Sequence, residues 1–257
     1  MRRIKSYWWN ERPNFGDQLA PLLLERFADI KVQWDTISHS QIISVGSILE
    51  HVPPLWDGHI IGSGKLHEFS RLHLHTNTAK IWALRGPLSA RGIKGEFVLG
   101  DPGLLADELV RPQEKVFDLG IVPHWQDSIL DFDVRNRWCP KPYTYTVINP
   151  DRDPLEIISL IGGCRKILTS SLHGMILADA FGIPRRVEFC GELARDGGDF
   201  KFRDYSESIK CPFEFGKLIE ASRFHVEDRQ QELFEVYYEL GKAFQKGLWN
   251  QFISSIS

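Results

Sequence analysis

Residues Arg165 to Arg186 read RKILTSSLHGMILADAFGIPRR. Lys166-Ile167-Leu168 is a short apolar run that predicts a buried strand. Thr169, Ser170 and Ser171 follow, residue types that cap helix N-termini. The apolar residues from Met175 to Phe181 predict a helix, and Gly182-Ile183-Pro184 stops it with a new strand behind. Strand, turn, helix, strand is the unit of a parallel α/β sheet. His173 falls at the turn, with Leu172 and Gly174 on either side. Ligands of open α/β sheets bind at the carboxyl ends of strands. A helix N-terminus there presents free N–H groups to an anion, so Ser170, Ser171, Leu172 and Gly174 are candidate binding residues. An imidazole beside such a site can move a proton near neutral pH. A Ser-capped helix with a hydrogen-bonded histidine satisfies the same pattern.

Outward from this stretch, 257 residues suffice for one large or two small α/β domains. A net charge of −3 gives no general attraction to nucleic acid or anionic lipid. Cys139, Cys164, Cys190 and Cys211 are scattered without a CxxC pair, as expected of reduced thiols in a cytoplasmic protein. No apolar run reaches the ~20 residues of a membrane span, so membrane contact is expected to be peripheral at most, at the inner face. Arg2, Arg3 and Lys5 precede no apolar segment of the kind a signal peptide needs.

In chain order, Ile4 to Trp9 predicts the first strand, and the loop to Asn14 lies at its carboxyl end. Phe15-Gly16-Asp17 opens a helix through Phe27, with Asp17 as N-cap; Asn14, Gly16 and Asp17 could face a cleft. Ile42–Val45 and His59–Ile61 are further strands. Gly62-Ser63-Gly64-Lys65 fails as a phosphate loop, since His59 stands where the first glycine belongs and Leu66 follows the lysine. It remains a strand-end loop in which Gly62 and Ser63 would let a ligand approach the backbone. His67, His73 and His75 lack the further ligands of a metal set. Lys80–Leu84 is a strand, and Arg85-Gly86-Pro87-Leu88-Ser89 turns it into a helix. Arg85 at that strand end could fork onto a carboxylate or phosphate, or hold the turn by an ion pair. Asp101 caps the turn after Val98-Leu99. Polar residues from Asp107 to Lys115 mark a linker. Phe117–Val122 opens a second half, and His124 just past its end reads as the second choice of proton carrier after His173 or as a polar loop residue. Tyr143–Ile148 is a strand and Pro154–Ile161 a helix; Val187-Glu188-Phe189 completes the sheet. From Gly191 to Arg203 the chain is polar and Gly-rich, so Arg195, Lys201 and Arg203 are available to an anion. Leu233, Tyr237, Leu240, Phe244 and Leu248 recur at helical spacing, predicting one or two C-terminal helices.

SSLHGMILADAFGIP resembles the signature turn of the polysaccharide pyruvyl transferase family, NFGDQLAPLL its opening helix, and ALRGPLSAR its middle motif. Phe200 to Tyr205 resembles a segment that follows the histidine turn in some relatives. The resemblance covers most of the chain and implies two Rossmann-like domains facing across a cleft, as in GT-B glycosyltransferases. The expected division is an acceptor-side domain, 1–112, a donor-side domain, 113–225, and C-terminal helices, 226–257, packing the two together. It also implies metal-independent transfer of the enolpyruvyl unit of phosphoenolpyruvate onto a sugar diol as a cyclic ketal, with no cofactor. The acceptor would be a saccharide, free or lipid-linked. His173 would be the general acid and Arg85 the donor anchor. One departure stands out: many relatives carry arginine two residues before the histidine, where this chain has Ser171. A nucleotide-sugar glycosyltransferase and a non-catalytic glycan-binding protein are the alternatives, because fold alone does not decide function.

Overall fold

A computed structural model of the chain describes residues 3–72, 78–111, 113–127, 144–188 and 198–256, with side chains as far as 247 in the last helix. The short apolar runs form strands buried on both faces, the environment of parallel sheets flanked by helices. The first sheet contains β1 (Ile4–Tyr7), β2 (Val32–Trp34), β3 (Ile42–Ile43), β4 (His59–Ser63), β5 (Lys80–Leu84) and β6 (Val98–Leu99). Its order is β2-β1-β3-β4-β5-β6, with every neighbouring pair parallel. The second contains β7 (Leu119–Val122), β8 (Tyr145–Val147), β9 (Ile167–Thr169), β10 (Arg185–Val187) and β11 (Leu218–Ile219), in the order β11-β10-β9-β7-β8. It is parallel except for the β10–β11 edge. These are two Rossmann-like units.

Each order reverses once. In the first sheet the chain leaves β1 for β2 on one side and returns to β3 on the other; in the second, β7 is flanked by β8 and β9. Such switch points open a crevice at the strand ends, because the connections there diverge to opposite faces. Four loops border the two crevices, those after β1, β3, β7 and β9.

One apolar core joins the units. Helix α1 (Phe15–Phe27) buries Leu19, Leu23 and Leu24, and helix α3 (Leu172–Ala180) is buried along its whole length. Helix α2 (Pro154–Gly162) packs against both. Between α1 and α3 runs a 3₁₀ helix, Pro102–Leu109, whose Gly103 lies against Leu19 and Ile176. Helix α4 (Phe200–Ser208) precedes β11, and helix α5 (Arg223–Ile256) closes the chain. The helical spacing of Leu233, Tyr237 and Leu240 is realised on the buried face of α5. The Tyr237 hydroxyl is 2.9 Å from Ser44 Oγ in the first unit. Arg223 and Arg229 of the same helix donate to the Ala180 and Ser208 carbonyls of the second. One helix, rather than two, therefore straps the units together.

Several expectations are corrected. Asn14, not Asp17, caps α1: its side chain accepts from Gly16 N–H, and Asp17 is already inside the first turn. Arg85–Ser89 turns without starting a helix, and Gly92, at φ +82°, sits in a conformation that does not continue one. β2 and β11 were not anticipated, being edge strands of three and two residues with little apolar pattern. Strand β10 runs Arg185–Val187, earlier than the expected Val187–Phe189, because pairing with β9 begins right after Pro184, and β11, not this strand, completes the sheet. His73, His75, Cys139, Cys190 and Arg195 lie outside the described residues; Cys164 and Cys211 are buried free thiols. Among the described residues no helix is long and apolar enough to cross a membrane, and no group of three metal-ligand side chains forms.

Helix α5 approaches α1 closely at Gly241, where an added Cβ would lie 2.3 Å from the Ala28 carbonyl oxygen. Gly241→Ala is therefore expected to lower stability by about 1–3 kcal/mol through overpacking. The exposed Gly247 meets nothing within 4 Å. Gly247→Ala is expected to be neutral or to stabilise by up to about 1 kcal/mol. Urea denaturation of the two variants checks both.

Candidate active site

The four loops at the switch points enclose a cavity of about 510 Å³. The loop after β1 and the start of α1 contribute Trp9, Glu11, Asn14 and Asp17, and the loop after β3 contributes Gly46 and Ser47. From the second unit come His124, Trp125 and Gln126 after β7, Ser171, Leu172 and His173 after β9, and Lys201 from α4.

His173 occupies the first turn of α3 because Ser171 caps the helix, its Oγ accepting from Gly174 N–H at 3.4 Å. Thr169 Oγ1 braces the turn, donating to the Val122 carbonyl and accepting from Ser171 N–H. Gly174 must be glycine here, since a Cβ would lie 2.3 Å from Thr169 Oγ1. The imidazole lies over Gly16 of α1, where a Cβ would lie 1.9 Å from His173 Nδ1. Only 8% of His173 is exposed, and its Nε2 has no hydrogen-bond partner among the described residues. Burial, then the nearby positive charges of Lys201 and Arg85, push its pKa down to about 3. His124 is likewise pushed to about 3, by burial, Lys201 and His173. Both rings are therefore neutral at pH 7.

Asp17 behaves in the opposite way. Burial lifts its carboxyl to about 7 against the pull of Lys201 and of the Asn14 amide, which donates to Oδ2 at 2.5 Å. Gly46, at φ +118°, lets the loop after β3 close on it; a Cβ there would lie 2.7 Å from Asp17 Oδ1. The cavity thus holds a carboxyl that titrates near neutrality, two neutral imidazoles and the buried ammonium of Lys201.

Arg85 is elsewhere. Its guanidinium is 0% exposed and does not line the cavity. Nε donates to Asp204 Oδ2 at 2.9 Å, Nη1 to Ser47 Oγ at 2.6 Å and Nη2 to the Lys65 carbonyl at 2.6 Å. Asp204 also accepts from the backbone N–H and the hydroxyl of Ser89. Of the two readings open for Arg85, the geometry matches the ion pair, not an exposed anion clasp. The pair joins the β5 loop to α4, the helix that carries Lys201 one turn before Asp204.

A family model described as polysaccharide pyruvyl transferase matches residues 14–187. The chain belongs to the polysaccharide pyruvyl transferase family. It is similar to the succinoglycan biosynthesis protein ExoV of Rhizobium meliloti (strain 1021), at 26% identity over 220 residues, 80% of this chain and 65% of that protein. It is also similar to the uncharacterized protein L143 of Acanthamoeba polyphaga mimivirus, at 28% identity over 218 residues, 79% of this chain and 74% of that one. The chain thus spans just under two thirds of ExoV.

In this member of the pyruvyl transferase family, the matched span, residues 14–187, includes the start of α1 and the loops after β3, β7 and β9, whereas Trp9, Glu11 and Lys201 lie outside it. The cavity gathers His173, Asp17, His124, Asn14, Ser171, Leu172 and Lys201. Gly16 and Gly174 sit behind the imidazole and the Thr169 hydroxyl as packing positions. Ser170 accepts from His124 N–H and donates to Asp127, holding the β7 loop. Gly62, at φ +80°, packs on Pro102, and Ser63 donates to the Gly46 carbonyl, so this glycine-rich loop serves packing and not the cavity. Arg203, 38% exposed, pairs with Asp199 and with Glu68 of the first unit. The sequence does not single out Gly46 or Ser47, and among its eight tryptophans, some of which could line a sugar site, it does not single out Trp9 or Trp125. The strand-end position of the loops was their available signal.

Two measurements test these environments. Arg85→Ala would strand the buried Asp204 carboxylate and is expected to destabilise by about 3–5 kcal/mol, with Arg85→Lys failing to restore three divergent hydrogen bonds. Chemical denaturation reads the loss. His173 stays neutral in the folded protein to about pH 3, while the unfolded chain protonates it near 6.5. Its contribution to stability is therefore present above pH 6.5 and falls away toward pH 3, by at most about 1.4 kcal/mol per pH unit. The raised carboxyls of Asp17 and Asp101 act oppositely, stabilising at low pH and losing that as pH rises through about 7 and 6. The stability difference between wild type and His173→Gln, followed from pH 7.5 to 4.5, isolates the histidine; a flat difference contradicts its neutral burial.

Proposed function

We propose that this protein transfers the enolpyruvyl unit of phosphoenolpyruvate to two hydroxyls of a sugar, forming a cyclic pyruvate ketal for a bacterial polysaccharide. The observation that carries the reading is the buried, neutral His173 at a helix N-terminus beside Lys201, in a cavity between two switch points. Family membership supports the same chemistry. Lys201 and the backbone N–H groups of Leu172 and His173 at the start of α3 are suited to the donor's phosphate and carboxylate. Lys201 thereby takes over the charge of the arginine that resembling proteins carry where Ser171 stands. Arg85 is a positioning residue in this scheme: through Asp204 it sets α4, and with it Lys201.

The donor's negative charge offsets both forces that keep His173 neutral, so the imidazole takes up a proton only with the donor in place. His173 then protonates the methylene carbon, and the central carbon becomes electrophilic. One sugar hydroxyl adds there, the C–O bond to phosphate breaks, and the second hydroxyl closes the ketal. The two hydroxyl protons balance the one gained by the new methyl group and the one carried off by phosphate. Asp17, poised near pH 7, is suited to feed or drain that proton traffic, with His124 lining the same cavity.

Phosphate release from phosphoenolpyruvate with a panel of hexopyranoside acceptors tests the reading. His173→Ala is expected to lower kcat by about 10²–10⁴ with folding intact. Lys201→Ala is expected to raise KM for phosphoenolpyruvate about tenfold or more, in line with loss of a charge-assisted contact. Asp17→Asn should remove a pH dependence of kcat/KM centred near 7. Turnover of nucleotide sugars in place of phosphoenolpyruvate, or full activity in His173→Ala, would overturn the proposal.

A further inference from the structure

Trp9 follows β1 and Trp125 follows β7, yet the two indoles meet. Their ring centroids are 5.5 Å apart with planes splayed by 29°, and both line the cavity. The Arg12 guanidinium lies 5.0 Å from the Trp125 ring. Neither indole is buried. Trp56 shows what a structural tryptophan looks like in this chain: it is 4% exposed, and its Nε1–H donates to the Ser40 carbonyl. Trp9 and Trp125 instead leave aromatic surface open to the cavity, next to the carboxylate of Glu11 and the amide of Gln126. His124 links this wall to the proposed chemistry: its ring is 5.5 Å from that of Trp125, and burial, then Lys201 and His173, hold it neutral.

A pyranose has an apolar C–H face and a rim of hydroxyls. An indole takes the first through dispersion and its quadrupole. A carboxylate and an amide at the edge take the second. We infer that the Trp9–Trp125 stack, rimmed by Glu11 and Gln126, is the acceptor subsite and holds a hexopyranose by its C–H face. The inference rests on the pyruvyl-transfer reading for what is then done to the sugar, but glycoside binding stands apart from turnover. Because the two rings come from separate units, this subsite exists only when both halves of the chain are docked.

The test uses the full chain, saturation-transfer NMR and tryptophan fluorescence. The probes are methyl β-D-galactopyranoside and methyl β-D-glucopyranoside, with uridine 5′-monophosphate as the competing stacking ligand. Saturation transfer is expected at the ring C–H protons of a glycoside. Trp9→Ala and Trp125→Ala are each expected to weaken glycoside binding about tenfold or more, with the Phe variants intermediate. Phosphoenolpyruvate affinity in the Phe variants, which keep the two units bridged, should stay within about threefold. Unchanged glycoside affinity in folded Ala or Phe variants, no saturable glycoside binding by wild type, or nucleotide binding with the same tryptophan dependence would each overturn the subsite. Tryptophan-dependent glycoside binding without phosphoenolpyruvate binding would sink the pyruvyl-transfer reading and leave the subsite standing. Turnover with tryptophan-independent acceptor use would do the reverse.

Discussion

Arg85 and Asp204 are 119 residues apart in sequence and wholly excluded from solvent. Neither charge could be buried alone, since desolvation would cost several kcal/mol per ion. The geometry compensates. The carboxylate receives the guanidinium and both donors of Ser89, and the guanidinium reaches Ser47 and the Lys65 carbonyl as well. Such a pair forms only when the β5 loop of one unit and α4 of the other are docked. Ser47 lies on the loop after β3 and Lys201 on α4, so the contact that joins the halves also shapes two walls of the cavity.

Within the cavity, burial dominates the electrostatics. It raises the Asp17 carboxyl and depresses both imidazoles, and Lys201 opposes the first effect while adding to the second. At the His173 end the cavity therefore presents two neutral imidazoles and the Lys201 ammonium, with Asp17 titrating near neutrality. An anionic ligand meets N–H dipoles and the Lys201 ammonium there, and its arrival shifts the imidazoles and the Asp17 carboxyl toward their protonated forms. Binding and proton uptake are coupled by the same low dielectric that keeps the histidines neutral beforehand.

Packing explains the glycines better than ligand approach does. Gly16 accommodates the His173 ring, Gly62 accommodates Pro102, and Gly64 lies 2.3 Å, at its absent Cβ, from the Arg85 guanidinium carbon. A glycine-rich strand end reads the same whether a phosphate or a neighbouring side chain comes close, because the requirement in both cases is only the missing Cβ. That ambiguity is why Gly62 and Ser63 were grouped with the binding residues from sequence.

Local chemistry was legible in the chain itself. The strand, cap and helix from Ile167 to Ala180, the cap at Asp101, strand β5 and the buried stripe of α5 all follow from periodicity and capping within a few residues. The turn carrying His173 was visible for the same reason. Tertiary structure alone decided which strand ends face each other, and hence that His173, Asp17, His124 and Lys201 share a cavity while Arg85 is sealed behind it. A side chain's neighbours across the fold depend on docking between distant segments, and an arginine's role turns on whether a carboxylate such as Asp204 reaches it first. Sequence spacing sets the face of a helix or strand; only packing sets what that face meets.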